Sequence, residues 1–241
     1  MSHARTAGKR VVSKILPRLS SSLDIEPSRF AALHLASKHA DTFQLLLGTV
    51  LSQNTNDRNA LAAFERLSGI VGTSPEAISG APFSKIRNAI RPAGMFNIRA
   101  KRIKELARCI LEKHDGDLSW IRALPLENAR SMILDLPQVG PKTADVLLLF
   151  VGHKRTFPID THISRVSRRL HIITDQDNYE QARKKLMKAF PPSRYLQAHL
   201  LLIEHGRRTC RARRPLCGAC PLQDLCPFPR KHPEFLSIND R

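Results

Sequence analysis

The sequence predicts an all-α protein, on three observations. Apolar residues recur at the 3.6-residue spacing of amphipathic helices over residues 41–51, 57–67, 97–114, 125–134, 141–150, 178–190 and 195–206. Residues that favour helix ends flank the helical segments: Asp41 and the run Ser74-Pro75-Glu76 at N-termini, and Gly69 and Gly116 at C-terminal caps. No run of alternating apolar and polar residues lies between turn residues, so a sheet of any size is not expected.

The chain is strongly basic. Among 241 residues, 39 are Lys or Arg and 21 are Asp or Glu, which gives a formal net charge of +18. A compact protein with this charge repels itself, so a polyanionic partner is the natural explanation. A merely solvated surface is the alternative, and the clustering of the basic residues argues against it.

Residues 1–40 begin with a basic segment. Five basic residues precede the first acidic residue, Asp24: Arg5, Lys9, Arg10, Lys14 and Arg18. A transit peptide and a disordered arm that contacts the partner explain this composition equally well. We expect the rest of this segment to begin a discontinuous helical lobe.

The remaining organisation follows from breaks in the pattern. Residues 41–152 form a contiguous helical lobe, and the sequence from Gly152 to Pro158 breaks a helix with glycine, charge and proline. Residues 153–209 complete the discontinuous lobe. After them come a cysteine-rich loop, residues 210–226, and a tail, residues 227–241. The longest apolar run, VLLLFVG, is too short to cross a bilayer, and no secretory leader is recognisable, so an intracellular protein is expected.

Four of the five cysteines lie within the loop at 210–226. Cys210, Cys217, Cys220 and Cys226 are four soft ligands in a segment with too few apolar residues to fold alone. In a reducing compartment such a set indicates a metal site rather than disulfides, and its spacing leaves zinc and an iron–sulfur cluster both open. Cys109 lies on the apolar side of a helix, where a small core residue is expected.

Residues 126–150 predict a helical hairpin. The connection DLPQVG is tight because of Pro137 and Gly140, and Pro141 suits the first position of the second helix. Such a turn leaves backbone N–H groups free beside a positive helix N-terminus, where a phosphate can bind. Lys142 follows directly, at the start of an apolar helix.

Two motifs carry a family resemblance. LPQVGPKTA, residues 136–144, and PIDTHISRV, residues 158–166, closely resemble the helix–hairpin–helix DNA glycosylases of the endonuclease III branch. The similarity extends from about Phe43 to the last cysteine. It implies two helical lobes flanking a DNA-binding cleft, with Lys142 and Asp160 as the catalytic pair facing each other across it. One departure is Gln138, where many relatives carry glycine.

The chemistry of base excision suits these two residue types. Cleavage of a glycosidic bond passes through an oxocarbenium-like sugar, which a nearby carboxylate stabilises. A neutral amine can attack the anomeric carbon and form an imine, from which strand elimination follows. Lys142 shares a helical face with Val146 and Leu149, so partial burial is expected. Asp160 is also placed to cap the following helix.

The resemblance also assigns the cysteines and the basic loop. It implies that Cys210, Cys217, Cys220 and Cys226 hold a structural 4Fe–4S cluster, with zinc the less favoured alternative. Three arginines between the first two cysteines would present a basic edge to DNA phosphates once the metal fixes the loop: Arg211, Arg213 and Arg214.

Further DNA contacts follow from the resemblance. An enzyme of this kind rotates its target base out of the helix and fills the gap. Gln53 or Asn54 matches the gap-filling residue, with Asn54 favoured, and Met95 and Phe96 match an apolar wedge. The alternatives are amides ending a helix and an apolar pair in the core. The remaining expected contacts are Gln138, Val139, Gly140 and His162.

We therefore expect a bifunctional DNA glycosylase and AP lyase that acts on oxidised pyrimidines. Its partner is double-stranded DNA with a damaged pyrimidine or an abasic site; no membrane is involved, and a monomer is expected. A monofunctional mismatch or uracil glycosylase of the same fold and a non-catalytic helix–hairpin–helix DNA-binding protein are the alternatives. The location is the cytoplasm or nucleoid of a prokaryote, or the nucleus or mitochondrion of a eukaryote.

Overall fold

The computed structural model describes the backbone of residues 2–236 and the side chains of residues 12–236. Over this range the chain is helical and contains no strand, so the all-α prediction is confirmed. The helices within these residues are α1 Ser2–Ser22, α2 Ala31–Ser37, α3 Thr42–Leu51, α4 Asp57–Ile70, α5 Pro75–Gly80, α6 Phe83–Ala89, α7 Phe96–His114, α8 Trp120–Ala123, α9 Leu126–Leu134, α10 Pro141–Phe150, α11 Thr161–Arg169, α12 Tyr179–Ala189, α13 Tyr195–Arg208 and α14 Phe228–Lys231.

Helices α3 and α5 begin where the sequence indicates. Asp41 and Gln44 form a reciprocal capping box on α3, in which the Asp41 carboxylate accepts from the Gln44 backbone N–H at 2.8 Å. The hydroxyl of Ser74 accepts from the backbone N–H of Ala77 at the start of α5. Both predicted N-caps are confirmed.

The two glycine C-caps have different outcomes. Gly116 has a φ of 78° and donates its N–H to the Ile110 carbonyl, which closes α7 as predicted. The prediction for Gly69 is wrong, because Gly69 lies inside α4 and the chain turns at Gly72, with a φ of 96°. A helix interior tolerates one glycine at a modest cost, so Gly69 alone does not end the helix.

One compact unit spans residues 26–154 and contains α2 to α10. It begins before Asp41 because α2 packs on α3, and a Cβ added at Gly48 would collide with Leu35. Helix α10 is largely buried: every residue from Thr143 to Phe150 is buried. Cys109, expected in the core, is half-buried.

The second unit comprises residues 1–25 and 155–241 and contains α1 and α11 to α14. Residues 2–22 are helical, so the expectation of a disordered arm is wrong for them. Ile15 and Leu19 are fully buried, and Arg18 pairs with Asp224. The basic side chains of Arg5, Lys9 and Arg10 and the tail beyond residue 236 lie outside the described part.

No helix among the described residues combines the length and the apolar character that crossing a membrane requires.

Candidate active site

The hairpin formed by α9 and α10 is held by a buried ion pair. The Arg130 Nε donates to the Asp145 Oδ1 at 3.0 Å, and the Arg130 Nη2 lies 3.4 Å from the Oδ2. Asp145 is 0% exposed and Arg130 is 7% exposed. Because both charges have left water, their pairing fixes the register of the two helices.

The turn between these helices departs from a glycine-rich one at Gln138. Gln138 is exposed and has a φ of 65°, a left-handed backbone that glycine adopts without strain. Val139 does not fit the expected DNA contact, because its side chain is 7% exposed and its N–H donates to the Leu136 carbonyl at 3.3 Å. Gly140 caps α10, and a Cβ there would meet nothing within 4 Å. Space for a ligand therefore remains at Gly140.

Lys142 is the second residue of α10 and is half-buried. Backbone N–H groups of the first helical turn have no carbonyl partner within their own helix. Lys142 thus lies in the first turn of α10, at its positive end, and directly precedes a fully buried segment. Partial burial of Lys142, expected from the spacing, is confirmed.

Asp160 is the N-cap of α11. Its Oδ1 accepts from the Ile163 backbone N–H at 2.8 Å, which leaves the second carboxylate oxygen for another partner. The residues before it, Pro158 and Ile159, are buried, so the backbone that carries the carboxylate is held in place. Asp160 is half-buried, and its capping role is confirmed.

His162, in the first turn of α11, packs closely on α13. A Cβ added at Gly206 would lie 2.8 Å from the His162 Cβ. Burial, opposed by the negative charge of Asp160, lowers the pKa of His162 below its usual 6.5. The imidazole is therefore neutral at pH 7.

Gln53 and Asn54, the two candidates for filling the gap, have different environments. The Gln53 Nε2 donates to the Thr143 Oγ1 at 3.3 Å and to the Gln138 carbonyl at 3.4 Å, so this amide is tied to the hairpin. Asn54 is exposed and has a φ of 55°. Asn54 is the amide available to a ligand.

The two candidates for the apolar wedge, Met95 and Phe96, also have different environments. Met95 is 51% exposed with a φ of 47°, whereas Phe96 is half-buried under the guanidinium of Arg91, 5.4 Å from the ring centroid. Met95 and Asn54 line the same surface depression, which Val50, Gln53, Ile98, Arg99 and Arg102 also line. The structure thus brings the gap-filling candidate and the wedge candidate together within the unit 26–154.

The four cysteines of the C-terminal loop share one cavity. Cys210, Cys217, Cys220 and Cys226 all line the same pocket, together with Arg169 and His205. Within the described residues no three His, Cys, Asp or Glu side chains converge closely enough to hold a single ion. Four thiols that line one pocket without a preformed single-ion site fit an iron–sulfur cluster better than one tetrahedral zinc.

The surroundings of Cys220 and Cys226 favour neutral thiols until a cluster is bound. Burial raises the pKa of Cys220 to about 12 and that of Cys226 to about 11. Iron binds thiolates, so cluster binding releases protons. The Arg169 Nη1 donates to the Cys210 Sγ at 3.2 Å.

Two arginines of α11 organise this loop: Arg165 lies in the motif PIDTHISRV but was given no role there, and Arg169 lies outside both motifs. Arg165 donates to the carbonyls of Cys210 and Gly206, both at 2.9 Å. Arg169 lies over the Phe228 ring and donates to the Arg211 carbonyl at 2.8 Å. The predicted DNA contacts in the loop are all exposed: Arg211, Arg213 and Arg214.

Comparison with known proteins identifies the family. Residues 47–192, more than half of the chain, match the HhH-GPD superfamily of base excision DNA repair proteins. Residues 210–226 match the iron–sulfur binding domain of endonuclease III. The endonuclease III of Sulfolobus acidocaldarius is 34% identical over 90% of this chain and 96% of its own length. The chain belongs to the endonuclease III family.

Further members of the family agree with this placement. The endonuclease III of Escherichia coli is 34% identical over 78% of this chain and 85% of its own length. A solved non-covalent endonuclease III–DNA complex matches with a TM-score of 0.79 and 27% identity over 94% of this chain and 98% of that one. A thermostable thymine-DNA glycosylase matches with a TM-score of 0.76 at 24% identity, which shows the shared fold.

Family membership settles the class of activity. This endonuclease III homologue is a DNA glycosylase and AP lyase of base excision repair, and its cofactor is a 4Fe–4S cluster. The bifunctional enzyme is favoured over the monofunctional glycosylase and over the non-catalytic DNA-binding protein.

Proposed function

We propose that this enzyme removes oxidised pyrimidines from double-stranded DNA as a monomer, with Lys142 as the nucleophile and Asp160 as the stabilising carboxylate. The observation that carries the proposal is the position of Lys142, half-buried in the first turn of α10 beside the open side of Gly140. There a DNA phosphate can approach the hairpin while the amine reaches a sugar.

The proposed reaction uses one amine and one carboxylate. The neutral Lys142 amine attacks the anomeric carbon, the bond from that carbon to the base breaks, and the base leaves with the bonding electron pair and takes up a proton. The sugar ring opens to an imine. Loss of a proton from the neighbouring carbon then expels the 3′ phosphate and cleaves the strand. Asp160 stabilises the positive sugar before attack is complete.

Asn54 and Met95 are proposed to enter the DNA helix when the base leaves it. The amide of Asn54 can pair with the orphaned base, and the thioether side chain of Met95 can wedge between neighbouring bases. Their exposure and their shared depression support this assignment. Gln53, bound to the hairpin, is proposed to support the turn.

The test is borohydride trapping on a duplex with one abasic site or one oxidised pyrimidine. Wild type should give a covalent protein–DNA band, and Lys142→Ala should remove it. Lys188→Ala, at an exposed lysine of α12, is the matched control and should trap as wild type does. Asp160→Asn keeps a helix-capping side chain but removes the charge, so it should fold normally and trap more slowly.

Substrate, assembly and location are tested separately. Duplexes with an oxidised pyrimidine, uracil or a mismatch, compared under single-turnover conditions, should favour the oxidised pyrimidine. Sedimentation should give one chain per particle. Bacterial and archaeal relatives support the nucleoid of a prokaryote as the place of action. A wild-type protein that binds the duplex but gives no trapped band would refute the lysine mechanism.

A further inference from the structure

Arg99, in the second turn of α7, is an unusual buried cation. Only 5% of it is exposed. Its guanidinium makes four hydrogen bonds, and every acceptor found in the described residues is a backbone carbonyl: Val50 at 2.7 Å, Gln53 at 2.8 Å, Gly94 at 3.2 Å and Ala93 at 3.3 Å. Backbone carbonyls at the C-terminal end of α3 partly compensate the buried charge.

These carbonyls belong to two separate loops. Val50 and Gln53 lie at the end of α3, directly before Asn54, and Ala93 and Gly94 directly precede Met95. The guanidinium therefore joins the backbone that presents Asn54 to the backbone that presents Met95. Both presented residues have left-handed φ values, which persist only when the surrounding structure enforces them.

Only an arginine side chain can join the two loops in this way. A guanidinium offers five N–H donors in a planar fork, and four bonds to two loops use that geometry. An ammonium at the same depth has three donors around one atom and cannot span both loops.

We propose that Arg99 is a positioning residue that makes Asn54 and Met95 a single rigid inserting unit, so that gap filling and strand wedging occur together. This inference rests on the proposed function of those two side chains. Arg99 itself touches no DNA in this proposal. Its effect is confined to duplex substrates, since a single strand has no partner base to replace and no helix to wedge apart.

The test compares trapping rates on two substrates that carry the same abasic site, one double-stranded and one single-stranded. Arg99→Lys should lower the duplex to single-strand rate ratio by about 10-fold, because the charge stays but the fork is lost. Arg108→Lys, the same exchange at an exposed position of α7, is the matched control and should leave the ratio unchanged. A general loss of folded protein lowers both rates together and leaves the ratio unaffected.

A double-mutant cycle tests the coupling with Arg99 intact. Asn54→Ala and Met95→Ala should each slow the duplex reaction, and the double variant should be faster than the product of the two effects by at least about 5-fold. This measurement keeps the inference falsifiable if Arg99→Lys does not fold. In a folded Arg99→Lys background the two effects should become multiplicative.

Each result has a defined meaning. A folded Arg99→Lys variant with the wild-type ratio, an equal fall in Arg108→Lys, or independent effects of Asn54→Ala and Met95→Ala in the intact protein would overturn the inference alone. A wild-type protein that traps neither substrate would instead overturn the proposed function, and the inference with it.

Discussion

Removal of one partner from the ion pair between α9 and α10 should strongly destabilise the protein. Asp145→Ala deletes a carboxylate that is 0% exposed and leaves the Arg130 guanidinium buried without it. A buried pair broken on one side costs about 3–5 kcal/mol of unfolding free energy, because the remaining charge keeps its desolvation penalty and loses its attraction. The lost stability should be that of the helical hairpin formed by α9 and α10, which carries Lys142.

Urea denaturation followed by circular dichroism measures this cost. Asp175→Ala is the control, because Asp175 pairs with Arg168 at 3.3 Å but is 85% exposed, and its loss should cost less than about 1 kcal/mol. The double variant Arg130→Met, Asp145→Leu should recover most of the stability, since an apolar pair of similar volume carries no desolvation penalty. Equal costs for Asp145→Ala and Asp175→Ala would refute the claim that burial makes the Arg130 pair important.

Three further predictions concern the unit that contains Asp160. Gly206→Ala should destabilise the protein by about 1–3 kcal/mol in thermal unfolding, because the added Cβ would lie 2.8 Å from the His162 Cβ. Gly69→Ala is the control and should be neutral or stabilising, because a Cβ there meets nothing within 4 Å. A neutral Gly206→Ala would contradict the close packing of Gly206 on His162. Burial lowers the pKa of His162, so protonation costs more in the folded state; the stability that the neutral ring contributes is present above pH of about 6.5 and is lost as the pH falls through the folded pKa. The melting temperature of His162→Gln should therefore fall less on acidification than that of wild type, and parallel curves would argue against the effect. Cys220→Ser should lose the yellow-brown absorbance of the cluster and unfold at lower temperature; intact absorbance would remove Cys220 from the ligand set.

Much of the fold follows from local sequence. Helices α3, α4, α7, α9, α10, α12 and α13 all occur where apolar spacing predicts them, and Asp41 and Ser74 cap as short polar residues do. Helix α1 was not predicted, because Pro17 and the run of charge and serine obscure its periodicity. Val12, Ile15, Leu16 and Leu19 do recur at helical spacing, but Pro17 falls among them and favours a break in the helix.

The residues of the site likewise form two groups, those that the sequence predicts and those that only the structure identifies. Lys142, Asp160 and the cysteines stand in motifs, so their identity is readable from the chain. Arg99 and Arg169 stand among other basic residues outside the motifs, and the motif alone assigns Arg165 no role; what distinguishes all three is their backbone carbonyl partners. Those partners are 41–49 residues away for Val50, Gly206, Cys210 and Arg211, a separation at which no local spacing rule operates.

The left-handed backbone at Met95, Gln138 and Asn54 has a consequence for how this enzyme can be improved. Side chains pay a steric penalty in that conformation that glycine avoids, and asparagine pays least. A selection for heat resistance alone should therefore collect glycine at Met95 and Gln138. Because the Met95 side chain is proposed to wedge between bases, glycine at that position should also slow repair. At Met95, thermal tolerance and repair rate are therefore expected to oppose each other.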